Sequence, residues 1–487
     1  MKTFIFLVCI SASSTIILNG QNTRPVSLHP ENPHYFLFRG KPTILITSAE
    51  HYGAIMNLDF DFETYLTTLQ QEGFNYTRIF CSGHLEMDDA TFGIEKNTMN
   101  PHPQSYLAPW KKLHDRKDTL IGIYDLDQWD DRYFKRLKNF VQEASRKEIV
   151  VEVTLSSSIY NEHIWKNNPL NPANNINLKE PIDFKKAQTL YNGKMLAYQE
   201  AYYRKIVTEL NEFDNVIFEI QNEPWSDNPC LQEIVPTDNL THPLAWQKLA
   251  ETANPVSRAW QHHIARIIYE TESRLFHRHL ISENISNFRA KISAPDSLIS
   301  VFNFHYALPE AVSWNYDLNK VIALDETGFM PHQDYLYRSQ AWKFLLSGGG
   351  LYNNLDYSFI VGFEDGTWPI PDRNPGWGGP AYRKQIRILK ECLYSLPFVK
   401  MKPFTTKKII ASALAEQGKN YLLYIDQENV SAFPLELPSG RYTIHWISPV
   451  TGDTLLVDTI NVIGKKWIFS PPKYKEDIAL IVKREKQ

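Results

Sequence analysis

The stretch IFEIQNEPWSD, residues 217–227, decides how the chain is read. Ile217, Phe218 and Ile220 form a short apolar run of strand-forming residues, suited to a buried strand. The run stops at Asn222-Glu223-Pro224, where the proline removes the next ladder donor. A carboxylate at the end of a buried strand is costly unless a partner or a substrate uses it.

The same form recurs along the chain. TILITSAE (43–50), FNYTRIF (74–80), IVVEVTL (149–155), NVIFEIQNE (215–223), HLISEN (279–284), LISVFNFHY (298–306), VIALDE (321–326) and GLYNNLDY (350–357) each read as a strand. Amphipathic helical stretches lie between most of them; FDFETYLTTLQQEG, for example, stops at Gly73. The helix after the fifth strand is hard to see. Eight alternating units over about 350 residues predict an α/β fold, a (β/α)8 TIM barrel. A doubly wound open sheet is the alternative. It would place a glycine-rich phosphate turn after the first strand, and SAEHYG is not one.

Three connections are long, at 81–128, 157–193 and 224–253. All follow strands, so all lie on the face where such barrels carry their chemistry. From about Leu396 the rhythm changes to short alternating strands broken by Pro, Gly and Asp, which predicts a small all-β sandwich. The N-terminus, MKTFIFLVCISASSTIILNGQ, has the charged, apolar and small-residue order of a secretory signal. The expected division is a signal segment over 1–20, a catalytic barrel with a short β lead over 21–395, and an accessory β-domain over 396–487. The expected location is exported: periplasmic, cell-surface or extracellular.

Composition narrows the function. Lys plus Arg is 51 and Asp plus Glu is 55, a formal net charge of −4 with no basic block. Neither a nucleic acid nor an anionic membrane surface is expected as a partner. No segment after the leader has the roughly 18 uninterrupted apolar residues of a membrane span. Cys81, Cys230 and Cys392 are far apart and odd in number, which gives no disulfide framework and no zinc spacing. His262, His263, His277 and His279 have no matching ligand set, so no metal site is expected. An aromatic content of 13% suits sugar stacking as well as a large core. Nothing in the chain fixes an oligomeric state.

Glu223 ends the fourth strand and Glu326 the seventh, on strands roughly opposite across a barrel mouth. Two such carboxylates can flank a glycosidic bond, one protonating the leaving oxygen and the other attacking the anomeric carbon. Asp325 rivals Glu326 for the second role. Glu50, His51 and Glu283 also end strands, while Glu152 and Glu219 lie deeper and are read as pairing inside the barrel.

FEIQNEP followed about a hundred positions later by LDETGF resembles clan A glycoside hydrolases, particularly family 5-like enzymes. The resemblance spans about residues 35–395. It implies Glu223 as acid/base, kept protonated by its surroundings, and Glu326 as nucleophile, a retaining mechanism, a carbohydrate substrate and no cofactor. It further implies Asn222 on the sugar 2-hydroxyl, Arg78 beside the nucleophile, and His305 and Tyr306 at the site. Arg78 can instead partner Glu152 and Glu219. His305 and Tyr306 are adjacent, so strand alternation predicts that one alone reaches the substrate. The tryptophan usual on strand eight is missing; Asn354, Asp356, Tyr357, Trp368 or Trp377 can substitute. Glu50 and His51 depart from the family pattern and are read as specificity contacts. FVKMKP and LPSGRYTIHWISPVTG resemble a β-domain, labelled collagen-binding, found behind the barrel in secreted bacterial sugar hydrolases. The expectation for these last strands is support, by burying an apolar face against the barrel. The rival functions are a carbohydrate-binding protein on an inactive barrel and an adhesion protein acting through the C-terminal domain.

Overall fold

The computed structural model describes residues 24–86, 92–116, 121–227, 229–234, 249–404 and 411–485. The expected signal segment, 1–20, lies outside them. Eight parallel strands form the centre: β1 Leu45–Ala49, β2 Tyr76–Phe80, β3 Val150–Thr154, β4 Val216–Glu219, β5 Leu280–Asn287, β6 Val301–His305, β7 Val321–Glu326 and β8 Leu351–Leu355. All eight expected stretches are strands, hydrogen-bonded in the order β1-β8-β7-β6-β5-β4-β3-β2. At the remaining seam a side chain completes the barrel. Asn75, just before β2, donates to the Ile44 carbonyl at 3.0 Å and accepts from the Ile46 N–H at 2.9 Å. Higher up, the Phe80 N–H donates to the Tyr52 carbonyl at 3.2 Å.

Helices α1 Phe62–Gln71, α2 Asp131–Arg146, α3 Met195–Leu210, α4 Pro255–Glu272, α5 Pro309–Ser313, α6 Asp334–Leu346 and α7 Pro380–Tyr394 pack outside. In α2 the buried residues are Tyr133, Phe134, Leu137, Phe140, Val141 and Ala144, an apolar stripe at helical spacing. Asp130 caps it by accepting from the Arg132 N–H at 3.0 Å. No helix lies between β5 and β6. The three-stranded lead (Ser27–Leu28, Phe36–Phe38, Lys41–Thr43) plugs the barrel bottom. Val26, Phe36 and Phe38 pack there on Leu45, Tyr76, Val150 and Val301 near the strand starts. The long connections after β2 and β4 carry antiparallel hairpins, Trp110–Asp115 with Gly122–Trp129 and Pro229–Ile234 with Leu249–Ala253. Among the described residues no helix is long and apolar enough to cross a membrane.

The C-terminal strands form a six-stranded antiparallel sheet and a two-stranded one, Phe433–Glu436 with Lys466–Phe469. Along Gly440–Ile447 alternate residues Tyr442, Ile444 and Trp446 are buried in the core that both sheets share. The other face of the large sheet, through Leu414, Leu422, Tyr424, Ala479 and Ile481, joins the barrel's core. This interface is less purely apolar than expected. Tyr424 stacks on Trp342 of α6 at 5.0 Å and 11°, and beside it lies a buried ion pair. Arg338 of α6 donates to both oxygens of Asp477, at 2.7 and 2.9 Å, with each side chain 1% exposed. The Tyr424 hydroxyl adds a third donor to Asp477 at 2.6 Å.

Candidate active site

Glu326 is the last residue of β7, at the C-terminal mouth of the barrel. Its Oε2 accepts from the Tyr52 hydroxyl at 2.9 Å and from Arg78 Nη1 at 3.2 Å, and its Oε1 from the Tyr306 hydroxyl at 2.9 Å. Three donors on two oxygens hold the carboxylate in one orientation. Asp325, its neighbour, shares Arg78 and His305 with it, because the ladder between β6 and β7 is irregular where the strands end. Asp325 is fully buried and faces Arg78 at 3.4 Å and His305 Nε2 at 3.5 Å.

Glu223 stands across the mouth, just past β4. Its Oε1 meets His305 Nδ1 at 3.0 Å, and its Oε2 accepts from the hydroxyls of Tyr160 at 2.9 Å and Ser226 at 3.3 Å. Its own N–H donates to Asn284 Oδ1 at 3.0 Å. One ligand atom from each of Glu223, His305 and Glu326 lies within 4.8 Å of the other two. Metal ligands can share that spacing; here His305 and Tyr160 hydrogen-bond the oxygens of Glu223, and Tyr52, Tyr306 and Arg78 those of Glu326.

The protonation of this group differs from the expected one. Burial pushes Glu223 up, but the hydrogen bond and charge of His305 and the Tyr160 hydroxyl outweigh it and hold the carboxyl below its usual range. Burial alone would lower His305. The charges of Glu326 and Asp325 and the bonds to Asp325 and Glu223 instead raise it well above the ordinary histidine value. The two shifts run in opposite directions and favour a charged imidazole beside a charged Glu223 carboxylate.

Backbone conformation explains how these side chains meet. Tyr52, Glu223 and Tyr306 have φ of 61°, 47° and 52°, and Phe288 and Phe329, also just past barrel strands, have 57° and 56°. Left-handed conformations at residues other than glycine cost about 1–3 kcal/mol each and cluster at functional sites. Each turn ends the strand's alternation and re-aims the next side chain. That overturns the expectation for His305 and Tyr306: both reach the site, one on Glu223 and the other on Glu326.

Arg78 fills both roles weighed for it. It binds Glu219 through Nε at 2.8 Å and Nη2 at 2.9 Å, and Glu326 through Nη1. Its Nη2 also donates to Asn222 Oδ1 at 2.7 Å, while Asn222 donates to the Tyr160 hydroxyl at 2.9 Å. Glu152 instead accepts from Tyr76, Ser282 and, at 2.9 Å, Asn303. Burial raises Glu152 and Glu219 alike.

The remaining expected residues divide. Glu50 does not open to the mouth. It is fully buried and accepts from the Gly53 and Ala54 N–H groups, both at 3.0 Å, and from the Thr98 hydroxyl at 2.7 Å, so it folds the loop after β1. His51 pairs with Glu86 at 2.6 Å and stacks between Tyr52 and Tyr357, at 5.3 and 5.6 Å. Burial opposes its protonation, but Glu86 raises it. Glu283 is buried and pushed up to about 7 by that burial. Trp368 is largely buried under Lys96, whose Nζ lies 5.5 Å from the ring. Trp377 is half-buried, near His332 at 4.8 Å. Asp356 is structural, held by Arg383 at 2.9 Å and Ser48 at 2.9 Å. Asn354 donates to Ser48 Oγ at 3.1 Å, and Tyr357 is buried beside His51.

Sequence reasoning missed Tyr52, Tyr160, Asn284 and Trp225, whose ring stands edge-on to His305 at 5.2 Å. Tyr52 and Trp225 each lie within two residues of a strand-end motif already singled out, and that proximity was their one signal. Tyr160 stands farther out in a loop, with no local signal at all.

No family model matches the chain, and no curated protein matches it in sequence. Solved structures match in fold. A candidate glycoside hydrolase from Bacteroides vulgatus ATCC 8482 is 13% identical, with a TM-score of 0.64 over 95% of this chain and 83% of that one. A glycoside hydrolase family 5 structure from the same source is 12% identical, with a TM-score of 0.60 over 94% and 92%. A third, named a glycoside hydrolase, is 12% identical, with a TM-score of 0.57 over 95% and 97%. The chain shares their fold. The likeness covers too much of the chain to rest on the barrel alone.

Proposed function

We propose that the protein is a retaining glycoside hydrolase, with Glu326 as nucleophile and Glu223 as acid/base. One observation carries the reading: these two carboxylates face each other at the barrel mouth, with one oxygen of each within 4.8 Å of the other, Glu326 fixed by two tyrosine hydroxyls and Glu223 by one. Retaining pairs lie about 5–5.5 Å apart and inverting pairs about 6.5–9.5 Å, the wider gap holding a water. The close pair supports retention. The glycoside hydrolase names of the structures sharing the fold support the class. We also infer export from the signal-like N-terminus.

In the first step Glu326 forms a bond to the anomeric carbon while the bond to the leaving oxygen breaks. Glu223 gives that oxygen a proton, received from His305 across their 3.0 Å contact. The ester at Glu326 removes the negative charge that raised His305 most, so the imidazole, having passed its proton on, stays neutral while the ester lasts. In the second step Glu223, now a carboxylate, takes a proton from water as the water oxygen attacks the anomeric carbon and frees Glu326; with the charge of Glu326 restored, that proton returns to His305 across the same contact. Once a cleaved oligosaccharide is found, NMR of the first-formed product tests the proposal. Retained anomeric configuration is expected; initial inversion would overturn it.

A further inference from the structure

The C-terminal domain grips α6, and the same helix reaches the site. On its barrel side, the Thr327 hydroxyl donates to Gln340 Oε1 at 2.6 Å, and Gln340 Nε2 donates to the Ala307 carbonyl at 3.3 Å. Thr327 follows Glu326 and Ala307 follows Tyr306 in the chain. From the tail, a run of polar contacts leads the other way, buried at Asp477, Arg338 and Gln385 and half-buried at Asp334 and Trp377. Asp477 holds Arg338, whose Nη1 donates to Gln385 Oε1. Gln385 Nε2 donates to Asp334 Oδ2 at 2.6 Å, and the indole N–H of Trp377 donates to Asp334 Oδ1 at 2.6 Å.

Trp377 sits in a loop pressed on the C-terminal end of β8. A Cβ on Gly376 would lie 1.8 Å from the Tyr357 ring, and one on Gly378 would lie 2.0 Å from Asp356 Oδ1. Glycine alone lets the loop lie so close. Tyr357 in turn stacks on His51, and His51 on Tyr52, the donor to Glu326. The indole has two flexible χ angles at the rim of an open mouth. The ring packs beside His332 and on the barrel core, its N–H bond to Asp334 sets its orientation, and Asp334 is itself held through Gln385 and Arg338.

We propose that the C-terminal domain is a positioning element for the site, and that Asp477, acting through Arg338, Gln385 and Asp334, fixes the ring of Trp377 at the rim of the barrel mouth. Trp377 as a sugar platform rests on the glycosidase reading; the coupling itself does not. The positioning requires no chemistry from the tail. It requires a dry, continuous set of partners, because a buried guanidinium left without its carboxylate reorganises its neighbours.

The test uses the full chain labelled with 5-fluorotryptophan. The sequence has 12 tryptophans, and Trp377→Phe assigns one 19F resonance by its loss. Asp477→Asn and Gln385→Leu should each move or broaden that resonance by more than its line width. Lys343→Ala breaks the separate ion pair between α6 and Asp426; it should lower Tm while leaving the Trp377 signal in place. An unmoved signal in the first two variants, or an equal shift in all three, would overturn the proposal. If Asp477→Asn does not fold, Asp477→Glu, which keeps the charge and moves it by one methylene on the tail's side of the run, decides in its place. The readout needs no substrate, so its failure would leave the glycosidase reading standing, and the converse holds.

Discussion

His305 Nδ1 lies 3.0 Å from Glu223 Oε1, and the opposite nitrogen of the same ring faces Asp325 at 3.5 Å. A fully buried imidazole between two carboxylates is favoured in its charged form, and so can supply the proton that the proposed acid must deliver. Its neighbours explain why. Asp325 and Glu326 supply negative charge from β7, and Glu223 supplies it from beyond β4, while Arg78 from β2 shares the same interior.

That arrangement makes stability depend on pH. His305 is raised in the folded state, so its contribution is fully present below the ordinary histidine value of 6.5 and is lost as pH rises through the raised value. Glu223 is lowered, so its contribution is present above its ordinary value of 4.5 and is lost as pH falls through the lowered one. His305→Gln should therefore cost the most Tm near pH 5–6, with the gap from wild type closing toward alkaline pH. Thermal melts across pH check this, and a pH-independent gap would contradict the assigned proton.

The two carboxylates should fail differently. Glu326→Ala should lose several orders of magnitude in rate on every substrate, because the covalent route disappears. A 2-fluoro glycoside of the correct sugar should label Glu326; label on Asp325 instead would reverse the assignment. Glu223→Ala should lose about 10²–10⁴-fold on poor leaving groups and much less on activated aryl ones. Added azide should restore turnover. Equal losses on both, with no azide effect, would remove Glu223 from the acid/base role.

Tyr52 and Tyr306 each give Glu326 one hydrogen bond at 2.9 Å. Bonds to a charged group contribute about 1.5–3 kcal/mol, so Tyr52→Phe or Tyr306→Phe should each lower kcat/KM by roughly 10- to 100-fold. Steady-state kinetics measure this, with Tm as the control for folding. A fall below about twofold in both would mean that neither hydroxyl orients the carboxylate.

Asp477→Ala should be among the most destabilising single changes outside the site. It takes from Arg338, itself 1% exposed, its buried carboxylate and leaves only Glu476, 3.1 Å away and 40% exposed. Breaking a buried pair in this way costs about 3–5 kcal/mol. Urea unfolding should show that loss, and a change within about 1 kcal/mol would mean that solvent reaches the pair.

What the sequence determined by itself is local. Period-two apolar runs and helical stripes depend on near neighbours, so eight strands, most of the helices and the C-terminal alternation were legible. Glu223 and Glu326 were legible too, because a carboxylate where an apolar run stops is visible in a single stretch. The tertiary structure decided who meets whom. Tyr52 reaches Glu326 across 274 positions, and Arg338 reaches Asp477 across 139. Closure of the barrel and the left-handed turns at Tyr52, Glu223 and Tyr306 make the contacts at the carboxylates. Such turns at non-glycine residues leave no mark in the residue pattern, because the surrounding packing, not the residue's own preference, holds them. For the same reason the raised His305 could not be read from the chain: it depends on three carboxylates, two from β7 and one from beyond β4, brought to one buried ring.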